Sequence, residues 1–338
     1  MKKVTMPSKI KKPGILILMA VSLSLVTCSE SREVRVQRFL LRGNEMVRQK
    51  NFEEAERLFK EAIAMDSCFA DGWNNLGTLQ FNRGAFEAAR SSYTRALECE
   101  PDFTDARLNR ANAAYRLREW YSALADLEMV EAVWPDTVAA LHLRGLIFTG
   151  MQDYGQARRT FRQLVYEHPD DFEALVNLGT VLYYEGKLDS AEAVITHAIA
   201  FNADEPNGYN TLALIEIERE NFDKAMDWVE KALELHPRDP YFLNNRGYIY
   251  LMTGRLSEAV NDIDESIVTD PSNAWALRNK GIYYYMKEDP DNAIRLLEQS
   301  LQMDPRLPRA GEYLGMSYLK KGDKENAARW MKESVDPG

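Results

Sequence analysis

A period of 34 residues is the feature that most constrains this chain of 338 residues. Nine consecutive units begin at residue 36 and keep one register, the last starting at residue 308. The twentieth position is always alanine: Ala55, Ala89, Ala123, Ala157, Ala191, Ala225, Ala259, Ala293 and Ala327. The eighth is glycine or alanine: Gly43, Gly77, Ala111, Gly145, Gly179, Ala213, Gly247, Gly281 and Gly315. Small residues at two fixed phases indicate two helices that approach closely once per unit, so we predict a stack of helical hairpins.

The second unit illustrates how each hairpin is built. Its apolar spacing predicts one helix over Ala70–Asn82, a turn at residues 83–85, and a second helix over Phe86–Cys99. Pro101 then prevents further helix because proline lacks an N–H group. Prolines recur at this phase as Pro135, Pro169, Pro237, Pro271 and Pro305. Since neither helix can bury its apolar stripe alone, the core is expected to continue from unit to unit.

These residues resemble the tetratricopeptide repeat (TPR). The second unit carries most of that family's pattern: Trp73, Leu76, Gly77, Ala89, Tyr93, Ala96 and Pro101. The resemblance extends over all nine units and implies an all-α, right-handed superhelical solenoid of helix-turn-helix repeats spanning residues 36–338. In this family the first helix of each unit, helix A, lines the concave face.

Residues 1–27 lie outside the repeats and have the layout of a signal peptide. A basic start with five lysines is followed by an apolar run from Ile15 to Val26. The segment from Leu25 to Cys28 resembles a bacterial lipobox, which implies lipidation of Cys28 and a short tether over residues 28–35. We therefore expect a lipoprotein of the bacterial cell envelope, held at the outer membrane by its lipid and facing the periplasm or the cell surface. An uncleaved membrane anchor and a soluble exported form remain alternatives.

The charge and the motifs exclude other function classes. The formal net charge is −10, and residues 1–27 contribute lysines but no acidic residue, so the repeat body is more acidic still. An acidic body argues against a nucleic-acid partner. The chain has no catalytic, phosphate-binding or metal-binding motif of known type. We expect no enzyme activity, no cofactor and no metal.

Asparagines at position 6 provide the first candidate for a binding surface. They recur in five units as Asn75, Asn109, Asn177, Asn245 and Asn279. This pattern resembles the asparagine ladder inside the repeat superhelix of O-GlcNAc transferase, which holds extended peptide backbone. A side-chain amide can donate to and accept from a peptide unit. The alternative is that these asparagines link neighbouring helices.

Units seven and eight concentrate further candidates at inward positions: Asn244, Tyr248, Trp275, Arg278 and Tyr285. Trp, Tyr and Arg contribute most of the binding energy in many protein interfaces. We therefore predict that an extended peptide segment of a protein partner binds in the concave groove, assisting an envelope assembly. A self-associating architectural component and a glycan-binding module are the alternatives, and the oligomeric state is left open.

Two cysteines remain besides Cys28. Cys68 and Cys99 lie at the ends of the second helices of units one and two, on the same side of stacked hairpins. An oxidising compartment would allow a disulfide between them if their Cα atoms lie within about 7 Å. Two half-buried thiols are the alternative.

Overall fold

The computed structural model describes residues 31–135 and 137–335, which form eighteen α-helices and no β-strand. In chain order the helices are α1 (Arg32–Arg48), α2 (Phe52–Met65), α3 (Ala70–Asn82), α4 (Phe86–Cys99), α5 (Thr104–Arg116), α6 (Trp120–Glu131), α7 (Val138–Gly150), α8 (Tyr154–Glu167), α9 (Phe172–Tyr184), α10 (Leu188–Phe201), α11 (Pro206–Glu218), α12 (Phe222–Leu235), α13 (Pro240–Met252), α14 (Leu256–Thr269), α15 (Ala274–Met286), α16 (Pro290–Met303), α17 (Ala310–Lys321) and α18 (Lys324–Val335). The helices predicted over Ala70–Asn82 and Phe86–Cys99 are confirmed as α3 and α4.

Helices pair in sequence to form nine hairpins that stack as a TPR solenoid. Each odd-numbered helix packs against the helix that follows it, and each even-numbered helix packs against the next hairpin. One buried cluster runs from Leu141 on α7 to Ile215 on α11. Trp228 packs against both this cluster and the one that follows it. The predicted all-α stack of hairpins is thus confirmed.

The small residue at position 8 faces a large side chain sixteen residues later in the same hairpin. A Cβ atom added to Gly145 would lie 2.7 Å from Cε2 of Phe161, a residue that is fully buried. Gly77 and Tyr93 form the same relationship, with Cδ1 of the tyrosine at 2.8 Å. Glycine at this phase lets the ring of the second helix lie directly on the backbone of the first.

The turn within each hairpin contains one residue with a left-handed backbone. This residue is glycine in four hairpins: Gly84, Gly186, Gly254 and Gly322. It carries a side chain in the other five: Lys50, Arg118, Gln152, Glu220 and Glu288. All have φ between 59° and 88°, a region that costs a non-glycine residue about 1–2 kcal/mol.

The first helix begins earlier than the first repeat unit. The α1 helix starts at Arg32, and the side chain of Ser31 accepts a hydrogen bond from the backbone N–H of Val34 as an N-cap. This capping signal extends the helix into the segment 28–35 that was predicted to be a tether. The predicted signal peptide over residues 1–27 and the lipidated Cys28 lie outside the described residues.

A disulfide joins the first two units. Cys68, in the loop after α2, is bonded to Cys99 at the end of α4, and their Cα atoms are 5.2 Å apart. The bond therefore links loops at the same end of adjacent hairpins, where the repeat places them side by side.

Candidate ligand-binding lumen

Three adjoining cavities occupy the inner side of the solenoid, and we call the space that they form the lumen. Their volumes are about 540, 510 and 230 Å³, and Tyr184 and Trp275 border all three. The lumen is lined principally by Tyr115, Arg118, Trp120, Gln152, Tyr154, Tyr183, Tyr184, Asn210, Glu218, Tyr241, Asn245, Trp275, Asp304 and Arg306. These residues come from unit three through the loop that precedes unit nine. The solenoid thus curves far enough for units three to five to face unit eight across a shared space.

Aromatic rings form much of the lumen wall. The rings of Tyr154 and Tyr184 are stacked, with centroids 5.2 Å apart and planes inclined by 14°. Tyr183 packs against Tyr184 at 5.3 Å, and Tyr115 lies 5.8 Å from Trp120. These rings sit at the ends of the first helices and the starts of the second helices of units three to five, so the repeat brings them together in a row.

Tyr184 and Tyr241 are open to the lumen, with 41% and 48% of their surface exposed. Protein nevertheless surrounds the space that these rings face. Loss of bulk water raises the pKa of Tyr184 to about 12, and nearby Tyr154 and Tyr241 add to this effect. The hydroxyl of Tyr241 donates to Asp270, at 3.2 Å. The hydroxyls of Tyr154 and Tyr184 have no hydrogen-bond partner within the described part of the chain.

Trp275 rests against a buried arginine. The guanidinium of Arg278 lies 4.6 Å from the centroid of the Trp275 ring and 5.2 Å from that of Tyr248. It donates to the carbonyl of Pro308 at 3.0 Å and to the side-chain oxygen of Asn279. Burial lowers the pKa of Arg278 to about 10. Arg278 thus supports the tryptophan and anchors the loop over residues 304–309, which closes one side of the lumen.

Asparagine side chains link successive first helices of the units. The amide of Asn75 donates to Asn44, that of Asn109 to Asn74, and that of Asn245 to Asn210, at 2.8–3.0 Å. Asn279 donates to the side-chain oxygen of Asn244 at 2.7 Å. Four of the five position-6 asparagines are therefore used within the solenoid. The alternative that they link neighbouring helices describes them better than a ladder for peptide backbone.

Several predicted groove residues lie behind the lumen surface. Asn279 is fully buried, and Arg278 and Tyr248 are 5% exposed, so none of them is free to contact a ligand. Tyr285 packs against Tyr313 and donates to Met316, so it joins units eight and nine. Their inward phase is as expected, but neighbouring helices cover them.

Other predicted residues remain at the surface of the lumen. Asn245 borders the smallest cavity, and Trp275 borders all three. Asn244 lies beside the smallest cavity but is only 2% exposed, so it is covered in the same way as Asn279. Asn177 is half-buried and has no side-chain hydrogen bond among the described residues. Trp275 is therefore the predicted residue that lies most centrally in the site.

Sequence profiles of the tetratricopeptide repeat match residues 40–107, 148–215, 206–239, 228–261 and 278–338. The chain belongs to the tetratricopeptide repeat family. Residues 108–147, most of the third unit, lie between two matched ranges. The tetratricopeptide repeat fold is typically a non-catalytic scaffold for protein interactions.

The curated relatives align with part of this TPR chain, and the aligned region is a smaller share of each relative than of this chain. The mitochondrial import receptor subunit TOM70 of Rattus norvegicus is 23% identical over 211 residues, which cover 60% of this chain and 35% of the receptor. The protein O-mannosyl-transferase TMTC3 of Homo sapiens is 27% identical over 205 residues, covering 59% of this chain and 22% of that protein. The chain thus matches about a third or less of the length of these relatives.

Solved structures agree on the fold. The Cut9–Hcn1 hetero-tetramer of APC/C contains a chain that aligns with a TM-score of 0.61 at 16% identity, over 90% of this chain and 74% of that one. The pilF structure from Pseudomonas aeruginosa aligns with a TM-score of 0.51 at 16% identity, over 62% of this chain and 96% of that one. At these identities the likeness is one of fold.

Over residues 31–135 and 137–335, no helix is both long enough and apolar enough to cross a membrane. The same ranges contain no group of three or more His, Cys, Asp or Glu residues placed to hold a metal ion.

The aromatic row of units four and five was not among the predicted groove residues. Tyr183 and Tyr184 occupy positions 12 and 13 of their unit, phases that face inward in the TPR family, so their positions carried a usable signal. Tyr154 opens a second helix, and Arg306 belongs to a loop between units. Tyr154 and Arg306 reach the lumen because several successive units curve together. The residue type at one repeat position does not predict that curvature.

Proposed function

We propose that this chain is an exported, membrane-tethered TPR scaffold that binds an extended segment of a partner protein in its lumen, assisting an assembly of the bacterial cell envelope. The observation that carries the binding role is the exposed aromatic surface around Tyr184 and Trp275. Large rings that are held rigidly but remain open to solvent are the groups that supply most binding energy in interfaces. The three adjoining cavities draw their lining from units three to eight, which offers a chain segment several contact points.

The relatives are consistent with this role without defining the partner. TOM70 is an import receptor subunit by name, and this chain matches 35% of its length. For the present chain, the partner is a protein whose segment can enter the lumen in an extended form.

A photo-crosslinking experiment tests the binding role in cells. A photoreactive amino acid is placed at Gln152, which borders the lumen, and in a second strain at Tyr166, which is 87% exposed on α8 and borders none of the three cavities. Crosslinks mapped by mass spectrometry to one segment of a partner from position 152, absent from position 166, would support the proposal. A Tyr184→Ala and Trp275→Ala double variant should lose the same crosslink, and an undiminished crosslink in that variant would refute it.

The proposed membrane tether is inferred from the sequence that precedes the first helix. A basic start, an apolar run and Cys28 form the arrangement of a lipoprotein signal. Metabolic labelling with a radioactive fatty acid should mark the parent chain and not a Cys28→Ala variant. A parent chain without label would exclude the lipid anchor while leaving the lumen unaffected.

Self-association is a second candidate because α6 and the turn that follows it expose apolar side chains. Tyr121, Met129 and Val133 are exposed by 77%, 54% and 61%, and Ala125 lies between the first two at helical spacing. Exposed apolar side chains grouped in this way are typical of surfaces that another protein covers. Light scattering on the purified chain at high concentration separates the candidates, since a monomer would remove the architectural role.

A further inference from the structure

We infer that the segment bound in the lumen is proline-rich and adopts the polyproline II conformation. This inference rests on the proposed function and states which class of peptide the lumen accepts. It follows from the hydrogen-bonding groups of the lumen wall. Among these groups, unpaired donors outnumber unpaired acceptors, and several of the donors belong to aromatic side chains.

The free groups of the lumen donate more than they accept. The hydroxyls of Tyr154 and Tyr184 and the indole N–H of Trp275 have no partner among the described residues, and all three side chains border the cavity of about 540 Å³. Trp120 presents a second such indole N–H, bordering the adjoining cavity. The guanidinium groups of Arg118 and Arg306 are exposed and form no ion pair within residues 31–135 and 137–335. An arginine has five N–H donors and no acceptor.

Several acceptors of the wall are already engaged. The carboxylate of Asp304 accepts from the backbone N–H of Arg306 at 3.0 Å, and that of Asp239 accepts from Tyr241 and Phe242. The side-chain oxygen of Asn210 accepts from Asn245 at 2.8 Å. Glu218 accepts from the hydroxyl of Tyr183 at 3.4 Å. The second oxygen of each of these carboxylates stays open to a ligand, but the two arginines, the two indoles and the two hydroxyls together offer more donors than these oxygens accept.

A proline-rich backbone matches this wall. Proline has a carbonyl acceptor and no N–H donor, and in polyproline II the carbonyls point outwards without internal hydrogen bonds. Pyrrolidine rings pack well on tyrosine and tryptophan faces, and the conformation is preformed, so little entropy is lost on binding. A glycan, by contrast, presents a hydroxyl donor with nearly every acceptor. The stacked pair Tyr154–Tyr184 and the neighbouring Trp275 supply the flat surfaces that such a segment requires.

Synthetic peptides test the inference on the purified full chain. We propose three fluorescent peptides of about twelve residues, which span about 37 Å in polyproline II. The first has proline at two of every three positions, the second has alanine at those positions, and the third has sarcosine, which lacks the N–H but is flexible. Fluorescence anisotropy should give at least tenfold tighter binding for the proline peptide than for the alanine peptide, with sarcosine between them. Equal affinity for the proline and alanine peptides would overturn the inference.

Conservative variants then locate the contact. Tyr184→Phe keeps the ring but removes a donor, and it should weaken proline-peptide binding about fivefold, as expected for the loss of one hydrogen bond. Trp275→Phe removes a donor and also part of the ring surface, so it should weaken binding by at least as much. Tyr166→Phe, on an exposed tyrosine away from the lumen, should leave the affinity unchanged. Unchanged affinity in both lumen variants would overturn the inference.

The outcomes separate this inference from the proposed function. If no proline peptide binds but the crosslink from position 152 to a partner segment persists in cells, the peptide class is wrong and the binding role stands. If an oligosaccharide binds to the purified chain, no peptide binds and the cellular crosslink is absent, both are refuted.

Discussion

Arg278 supports Trp275 from within the protein, with 4.6 Å between the guanidinium carbon and the centroid of the ring. Trp275 borders every cavity of the lumen, whereas Arg278 is buried and contacts no carboxylate within the described part of the chain. The position of the central aromatic residue thus depends on a buried cation whose partners are a backbone carbonyl, an amide oxygen and two rings.

An Arg278→Met variant should lose about 1–3 kcal/mol of unfolding free energy, because the carbonyl of Pro308 and the side chain of Asn279 lose their donors. Binding in the lumen should weaken as well, since the loop over residues 304–309 loses its anchor. Urea unfolding and peptide titration measure the two effects. Arg255→Met is the matched control, because Arg255 also lies over a tyrosine ring, at 4.3 Å, but is exposed. Its change should stay within about 0.5 kcal/mol, and equal losses in the two variants would contradict the assigned support.

Alkaline titration should reveal the enclosed tyrosine. The pKa of Tyr184 is raised from about 10 to about 12, so the folded state holds this proton more tightly than the unfolded state. The contribution of Tyr184 to stability is therefore complete below about pH 10 and is lost as the pH rises through about 12. Tyrosinate absorbance of the folded protein should contain a component near pH 12, to which Tyr318 also contributes, and Tyr184→Phe should reduce that component. A titration unchanged by that substitution would show that Tyr184 faces bulk water.

Gly145→Ala should destabilise the fourth hairpin. Its new Cβ would lie 2.7 Å from Cε2 of Phe161, and overpacking of this kind costs about 1–3 kcal/mol. Gly155→Ala is the control on the adjacent helix, because its new Cβ would meet only a side-chain oxygen of Asp153 at 3.6 Å. That variant should be neutral or stabilised by up to about 1 kcal/mol, as usual for alanine in a helix. Thermal and denaturant unfolding measure the stability of both variants. Similar changes in stability for the two variants would argue against the close contact between Gly145 and Phe161.

Reduction of the disulfide should loosen units one and two selectively. The bond closes a loop with a sequence separation of 31, for which the chain-entropy treatment gives about 3–4 kcal/mol. Adding a phosphine reductant should lower the denaturant midpoint and increase hydrogen exchange in α1 to α4, with little change in α13 to α18. A Cys68→Ser and Cys99→Ser double variant should already behave as the reduced protein and should not respond to reductant. A parent chain indifferent to reductant would contradict a stabilising disulfide.

Glycine should be preferred at the strained turns. Glu220 is exposed with φ at 59°, so Glu220→Gly relieves the cost of a left-handed backbone and should stabilise by up to about 1 kcal/mol. The reverse substitution, Gly254→Ala, should destabilise by about 1 kcal/mol, although its new Cβ would have no neighbour within 4 Å. Equilibrium unfolding measures the change in unfolding free energy of each variant. Changes of opposite sign would identify backbone conformation as the cause, and changes of the same sign would exclude it.

The helices and their contacts within a hairpin could be predicted because their causes are local. Alanine at position 20 and glycine at position 8 recur wherever two helices touch, and the bounds of α3 and α4 follow from apolar spacing and from Pro101. In a repeat protein each unit contacts mainly its neighbours, so a pattern repeated nine times is enough to define the stack.

The site could be predicted only in part. Trp275 was recognised because tryptophan at position 2 has no packing role within its own hairpin. Asn279 and Arg278 share the inward phase but are covered by α13 and by the loop before α17. The position of a residue within its repeat unit predicts the direction of its side chain. It does not predict whether a neighbouring helix or loop covers that side chain.

The sequence by itself determined the family, the nine hairpins, their turns and the adjacency of Cys68 and Cys99, because each depends on residues within one unit or the next. Tertiary structure decided that Tyr154 and Tyr184 of units four and five share a cavity with Trp275 of unit eight. It also decided that Asn75, Asn109, Asn245 and Asn279 serve the solenoid itself. The physical reason is that curvature is the sum of small rotations between successive units, so contacts across the lumen arise only when the whole array is assembled.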